Sequence, residues 1–171
     1  MNKIIVLEGP DLVGKTEIGT ALAKEYNLSY FKNHTEHDNF RNNNFLGTAF
    51  VEAFYLLDML KQVEFKENGI ILDRHIPSEY VYSKVYDRIT HEESIWKIDE
   101  ELADLGATII YCTKTHYKDF NDEVITLDKI EHIKYFYEEY FTKTKMNVIR
   151  LDTTDENLER EISDIKKGLV W

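Results

Sequence analysis

Several residue types are scarce in this chain, and each scarcity narrows what it can be. Cys112 is the one cysteine. That excludes a disulfide framework and a cysteine-based zinc site, and it fits a reducing, cytoplasmic setting. Lying in an apolar run, the thiol reads as part of the core. Prolines number two, and no Gly/Ser-rich, repetitive or low-complexity stretch interrupts the 171 residues. The chain therefore reads as one domain, 1–171, long enough to bury a sizeable core. No segment approaches the roughly 18 apolar residues that a membrane span requires, and the start lacks the apolar centre of a signal peptide. Arginines are few, five in all, and 32 acidic side chains against 21 basic ones leave a formal charge of −11. Proteins that hold a nucleic-acid backbone normally show a basic face. A nucleic-acid partner is therefore not expected, and a small anionic ligand held in a cleft is.

Against these absences stands one dense motif. Gly9-Pro10-Asp11-Leu12-Val13-Gly14-Lys15-Thr16 fits G-x-x-x-x-G-K-[ST]. It follows an apolar strand, 3–8, and precedes a helical pattern carrying Ile18, Ala21, Leu22, Ala23 and Tyr26. A strand-to-helix turn of this kind aims backbone N–H groups and a helix N-terminus at phosphate. Gly9 and Gly14 permit conformations and close approaches that a side chain would block. Lys15 is placed for the β- and γ-phosphates, and the Thr16 hydroxyl for Mg²⁺. The motif predicts a nucleoside triphosphate ligand, with ATP and Mg²⁺ as cofactors.

Apolar periodicity continues the strand–helix alternation. Strands are predicted at 28–31, 70–73, 107–112 and 147–151, and helices from 45 to about 65, then over 78–87, 91–105, 127–141 and 155–166. Short continuous apolar strands between helices predict an α/β fold of three layers, a five-stranded parallel sheet flanked by helices. Ligands of such sheets bind beyond the carboxyl ends of the strands, here after Glu8, Phe31, Leu72, Cys112 and Leu151. At one of these ends stands Asp73-Arg74-His75. Asp73 is placed to orient Mg²⁺, directly or through water, and Arg74 can clamp phosphoryl oxygens with its planar donors.

Leu7 to Thr16 resembles the L-E-G-x-D-x-x-G-K-[ST] opening of thymidylate kinases. Asp73-Arg74-His75-Ile76-Pro77-Ser78, running into Tyr80 and Tyr82, is similar to their D-R-[YW]-x-x-S signature, and Val148 to Thr154 is similar to their last strand and adenine-side loop. The resemblance covers most of the chain and implies a P-loop kinase fold with a lid near 113–128. It implies in-line transfer of the ATP γ-phosphoryl group to a deoxynucleoside monophosphate, dTMP foremost, with Lys15, Asp73 and Arg74 as the catalytic set. Under it Asp11 touches the sugar 3′-hydroxyl of the acceptor, Thr16 and Asp73 serve the metal, and Arg74 bridges donor and acceptor phosphates. Tyr80 and Tyr82 would line the acceptor pocket, and pairing through the second and third helices would give a homodimer.

The chain departs from that pattern in three places. The phosphate loop carries Leu12 and Val13 where an arginine is usual, and the lid offers Lys114 and Lys118 but no arginine. No thymine-reading arginine stands on the second helix, where Phe50 or Phe54 could stack on a base instead. The acceptor phosphate needs its own cation, for which Arg41, with Lys32 behind it, lies in the right region. A rival reading follows from a resemblance of 73–80 to the E-R-S-x-x-S-D-R run of deoxynucleoside kinases. That reading makes the acceptor a nucleoside hydroxyl and Glu36 or Asp38 its base. A kinase of DNA ends or modified bases and a weakly catalytic binding module are further alternatives. A switch GTPase is excluded for want of N-K-x-D. His34, Glu36, His37 and Asp38 crowd one polar loop but lack the placement of a zinc site.

Overall fold

The computed structural model describes residues 3–32, 45–62, 69–117 and 126–169. Five strands form the sheet: β1 (Lys3–Glu8), β2 (Ser29–Lys32), β3 (Gly69–Asp73), β4 (Thr108–Thr113) and β5 (Asn147–Asp152). All pairings are parallel, in the order β2-β3-β1-β4-β5. Six helices alternate with them: α1 (Lys15–Tyr26), α2 (Phe45–Gln62), α3 (Ile76–Val85), α4 (Glu92–Asp104), α5 (Leu127–Phe141) and α6 (Leu158–Gly168). The α/β sheet flanked by helices is thus the one that the periodicity predicts.

The central strand shows why. Side chains alternate across a strand, so Ile4 and Val6 of β1 enter one core while Ile5 and Leu7 enter the other. The first core is completed by α2, α3, α4 and α5, through residues such as Leu57, Val81, Ile98 and Tyr137. The second is closed by α1 and α6, through Ile18, Leu22, Ile162 and Ile165. Strands buried on both faces, such as β1 and β3, have no use for polar side chains except where they end. Glu8 and Asp73, both buried, sit at such ends.

Two helix starts differ from the sequence expectation. α3 begins at Ile76, two residues earlier than expected, because Pro77 in its first turn has a backbone angle already suited to a helix. α6 begins at Leu158, three residues late. Glu156 takes a left-handed φ of 53°, and the Asn157 side chain caps the helix by accepting from Arg160 N at 3.1 Å. Leu158 consequently stands partly exposed, leaving Ile162 and Ile165 as the buried stripe. The expected end of the second helix near 65 lies outside the described residues. Among the described residues no helix is long and apolar enough to cross a membrane.

Candidate active site

Register brings the two motifs together. Leu7 of β1 is paired with Asp73 of β3, so the phosphate loop and the Asp-Arg-His turn leave the sheet side by side. Gly9 has φ 137°, and a Cβ there would lie 2.1 Å from the Cys112 carbonyl oxygen of β4. Only glycine lets the loop turn so close to the neighbouring strand. The loop ends at Gly14, whose left-handed φ of 79° sets the N-cap of α1.

Lys15 is buried, and its Nζ donates to the carbonyls of Gly9, at 3.1 Å, and Pro10. Burial, with the nearby Arg74 charge, brings its pKa down to about 8. An anionic ligand beside it would favour the charged ammonium, because a nearby negative charge raises a lysine pKa. Beside it, Thr16 Oγ1 donates to Asp73 Oδ2 at 3.3 Å, and the Tyr30 hydroxyl donates to the same oxygen.

Arg74 has φ 68°, a left-handed conformation unusual for arginine, and its backbone N–H donates to Leu7 O at 2.9 Å. The side chain is thereby turned across the loop. Its Nη2 pairs with Asp11, its Nη1 donates to Ser78 Oγ at 3.2 Å, and its guanidinium lies 5.0 Å from the centre of the Tyr82 ring. Burial alone would push the Asp11 carboxyl up, but the charges of Arg74 and Lys15 hold it below the usual carboxylate range.

Glu8 fixes this turn from beneath. Its carboxylate accepts from His75 N at 2.8 Å, Ser78 Oγ at 2.5 Å and the Tyr137 hydroxyl of α5 at 2.7 Å. Burial pushes its pKa up, opposed by Arg74 and by these donors. The neighbouring His75 is buried with no hydrogen-bond partner for either ring nitrogen among the described residues, and burial lowers its pKa to about 4. That imidazole is neutral at physiological pH. On the other side of the sheet's end, the loops after β4 and β5 are joined. Thr153 N donates to Thr113 O at 2.8 Å, Thr115 N to Thr154 Oγ1 at 2.8 Å, and Lys114 pairs with Glu156 at 2.6 Å.

Of the residues expected from sequence, Gly9, Pro10, Asp11, Leu12, Val13, Gly14, Lys15, Thr16, Asp73, Arg74 and Tyr82 share this end of the sheet. Tyr80 corrects the expectation for it. It points into the core, fully buried against Trp96 and Tyr140, with its hydroxyl donating to Glu139. Helical spacing explains the split: two residues apart on α3, Tyr80 and Tyr82 take different faces. Phe50 is likewise a core residue, whereas Phe54 is 39% exposed on α2. Arg41, Glu36, Asp38, His34, His37 and Lys118 lie outside the described residues.

Sequence reasoning assigned no part to Glu8, Tyr30, Ser78 or Tyr137. Glu8 carried a readable signal, a lone carboxylate closing an otherwise apolar strand, which demands partners. The tyrosine hydroxyls carried none.

The donor set fits Mg²⁺. Thr16 and Asp73 present hard oxygen atoms together, and this ion is usually held by one or two protein oxygens plus substrate phosphates. Among the described residues no cluster of three or more His, Cys, Asp or Glu side chains forms a protein-only metal cage. Asp11, Asp73 and Glu8 offset the two cations here, so a polyphosphate would bring more negative charge than Lys15 and Arg74 alone can balance.

No family model matches the chain, and no curated protein matches it. Solved structures do. YorR of Bacillus subtilis, solved in complex with phosphorylated GDP, is similar with a TM-score of 0.73 and 22% identity over 96% of this chain and 94% of that one. Deoxyadenosine kinase from M. mycoides with bound dATP gives 0.60 and 20% identity, over 96% and 97%. Thymidylate kinase from Candida albicans gives 0.59 and 14%, over 97% and 90%. The chain has the fold of the P-loop nucleotide kinases.

Proposed function

We propose that this chain is an ATP- and Mg²⁺-dependent phosphotransferase that moves the γ-phosphoryl group to a deoxynucleoside monophosphate, with dTMP as the first acceptor to test. One observation carries the reading: Arg74, held by Asp11 and Ser78, faces the loop in which Lys15 and Thr16 sit beside Asp73. Two cations and a metal-type oxygen pair then converge where a donor and an acceptor phosphate must meet. Such a transfer depends on positioning and charge neutralisation rather than on a strong base, because the acceptor oxygen is already ionised.

Lys15 holds the transferred phosphate, Arg74 bridges it to the acceptor, and Asp11 takes the acceptor sugar. Tyr82 and Phe54, with Arg41, are the remaining acceptor-side residues in this reading. When bound at Thr16 and Asp73, Mg²⁺ supplies neutralisation of the phosphate charge. The chain acts as a single cytoplasmic domain with a lid near 113–128, pairing as a homodimer. The likeness to deoxyadenosine kinases, close in TM-score to that with thymidylate kinase, favours one second reading, phosphorylation of a nucleoside hydroxyl with Glu36 or Asp38 as base.

ADP release from ATP–Mg²⁺ tests both, with dTMP, the other deoxynucleoside monophosphates, thymidine, deoxycytidine and a 5′-hydroxyl oligonucleotide as acceptors, and Lys15→Met as the blank. Turnover on monophosphates is expected. Turnover on nucleosides alone transfers the case to the second reading, and silence on every acceptor with ATP still bound refutes both.

A further inference from the structure

We propose that Tyr30 is a positioning residue for the metal-binding carboxylate, and that Gly19 of α1 is the residue that makes room for it. The inference rests on the reading of Asp73 and Thr16 given above. Tyr30 lies in β2 opposite Ile71 of β3 and packs into the core that α1 covers. Its hydroxyl donates to Asp73 Oδ2, the oxygen that also accepts from Thr16. One carboxylate oxygen is therefore fixed from two elements, α1 through Thr16 and β2 through Tyr30. A charge-assisted hydrogen bond from a stiff, half-buried ring defines orientation better than one from a mobile side chain. Partners of this kind behind a metal ligand set both its direction and its affinity for the ion.

The second observation is steric. Gly19 stands inside α1, where glycine is disfavoured relative to alanine. Its backbone is not left-handed, so conformational freedom does not explain it. Packing does. A Cβ at Gly19 would lie 2.5 Å from Tyr30 Cε2, 3.1 Å from Tyr30 Cδ2 and 2.7 Å from Leu7 Cδ1. Two of these three atoms belong to the tyrosine ring, so the helix gives up local propensity at the point where the ring crosses beneath it. A local rule broken at one position and matched by a contact to a site residue is the pattern expected of a functional constraint.

The test measures nucleotide binding rather than turnover. ADP affinity is determined by titration calorimetry with and without Mg²⁺ for the parent chain, Tyr30→Phe, Gly19→Ala and the double variant. Tyr30→Phe keeps the ring in place and removes one oxygen atom. The expected result is unchanged affinity without Mg²⁺ and a fall of about tenfold in the gain that Mg²⁺ confers. Gly19→Ala, by displacing the same ring, is expected to reproduce that fall. The double variant should lose no more than either single one, because both act on one contact.

A Tyr30→Phe protein with the parent's full Mg²⁺ gain overturns the proposal. So does an equal loss with and without Mg²⁺, which marks a role in folding alone. A parent chain showing no Mg²⁺ gain at all would overturn the reading of the phosphate site itself, and the role of Tyr30 with it. Should Gly19→Ala fail to fold, the near-isosteric Tyr30→Phe decides the matter.

Discussion

Replacing Lys15 by methionine should make the empty protein more stable while removing its nucleotide binding. Methionine keeps much of the apolar stem and removes the charge. The ammonium is buried, and its pKa falls to about 8 from the usual 10.5. At about 1.36 kcal/mol per pH unit, holding that charge in the folded chain costs about 3 kcal/mol. Loss of the hydrogen bonds to the Gly9 and Pro10 carbonyls offsets about 1–2 kcal/mol of the gain. A net stabilisation of roughly 1–2 kcal/mol remains, or a rise of about 2–8 °C in Tm.

The pH dependence isolates the cause. Below the folded pKa of about 8 both folded and unfolded Lys15 are protonated, and the cost is complete. Between there and 10.5 the unfolded chain binds more protons than the folded one, so the stability of the parent rises relative to the variant. Above 10.5 the cost has gone. Urea unfolding of both proteins across this window measures the gap, and using their difference removes the contribution of the other titrating groups. A Lys15→Met protein less stable than the parent near neutral pH, or a gap that stays constant with pH, refutes the reasoning.

Three further outcomes are expected. Arg74→Lys keeps a positive charge but loses the planar fork shared by Asp11 and Ser78, so turnover should fall by about 10²–10³ while ADP affinity stays within about twofold; steady-state kinetics within about threefold of the parent would contradict the bridging role. Glu8→Ala leaves His75 N–H, Ser78 and Tyr137 without their acceptor and should lower stability by about 3 kcal/mol or more. Glu8→Gln retains an acceptor and should cost no more than about 1 kcal/mol, so equal urea midpoints for the two variants would show that the three donors do not depend on Glu8. Gly9→Ala forces a Cβ to within 2.1 Å of the Cys112 carbonyl at a position of φ 137°. It should abolish ADP binding and destabilise by about 2 kcal/mol or more, and a variant that binds ADP as the parent does would show that the loop can yield.

What the sequence revealed and what it hid divide along physical lines. Continuous apolar runs marked β1, β3 and β4, because a strand buried on both faces tolerates little else. The loop and the Asp-Arg turn were legible because their chemistry needs fixed residue types at fixed spacing. Boundaries were legible only to within a few residues. The late start of α6 depends on a side-chain cap at Asn157 and a left-handed Glu156, which apolar periodicity does not register. Tyr80 and Tyr82 are alike in sequence, yet one fills the core and the other lies under Arg74, a choice made by the rotation of α3 against α4 and α5. Tyr30 and Tyr137 were hidden for a related reason. Each contributes apolar surface to a core and one hydroxyl to the site, and pattern reading sees only the first.

The Glu8 bond network also bears on the order in which a growing chain can become competent. β1 precedes every strand it pairs with, yet it ends up in the middle of the sheet, flanked by β3 and β4. Glu8 meets His75 across 67 residues of chain and Tyr137 across 129. During synthesis the phosphate loop therefore emerges early, but the carboxylate beneath it stays without its partners until α5 has left the ribosome. Until β3 and β4 have followed it, β1 presents two unpaired edges of a strongly apolar strand, the kind of surface that invites wrong pairing or a chaperone. The phosphate loop can be fully set only after α5, whose Tyr137 lies 129 residues beyond Glu8, is in place.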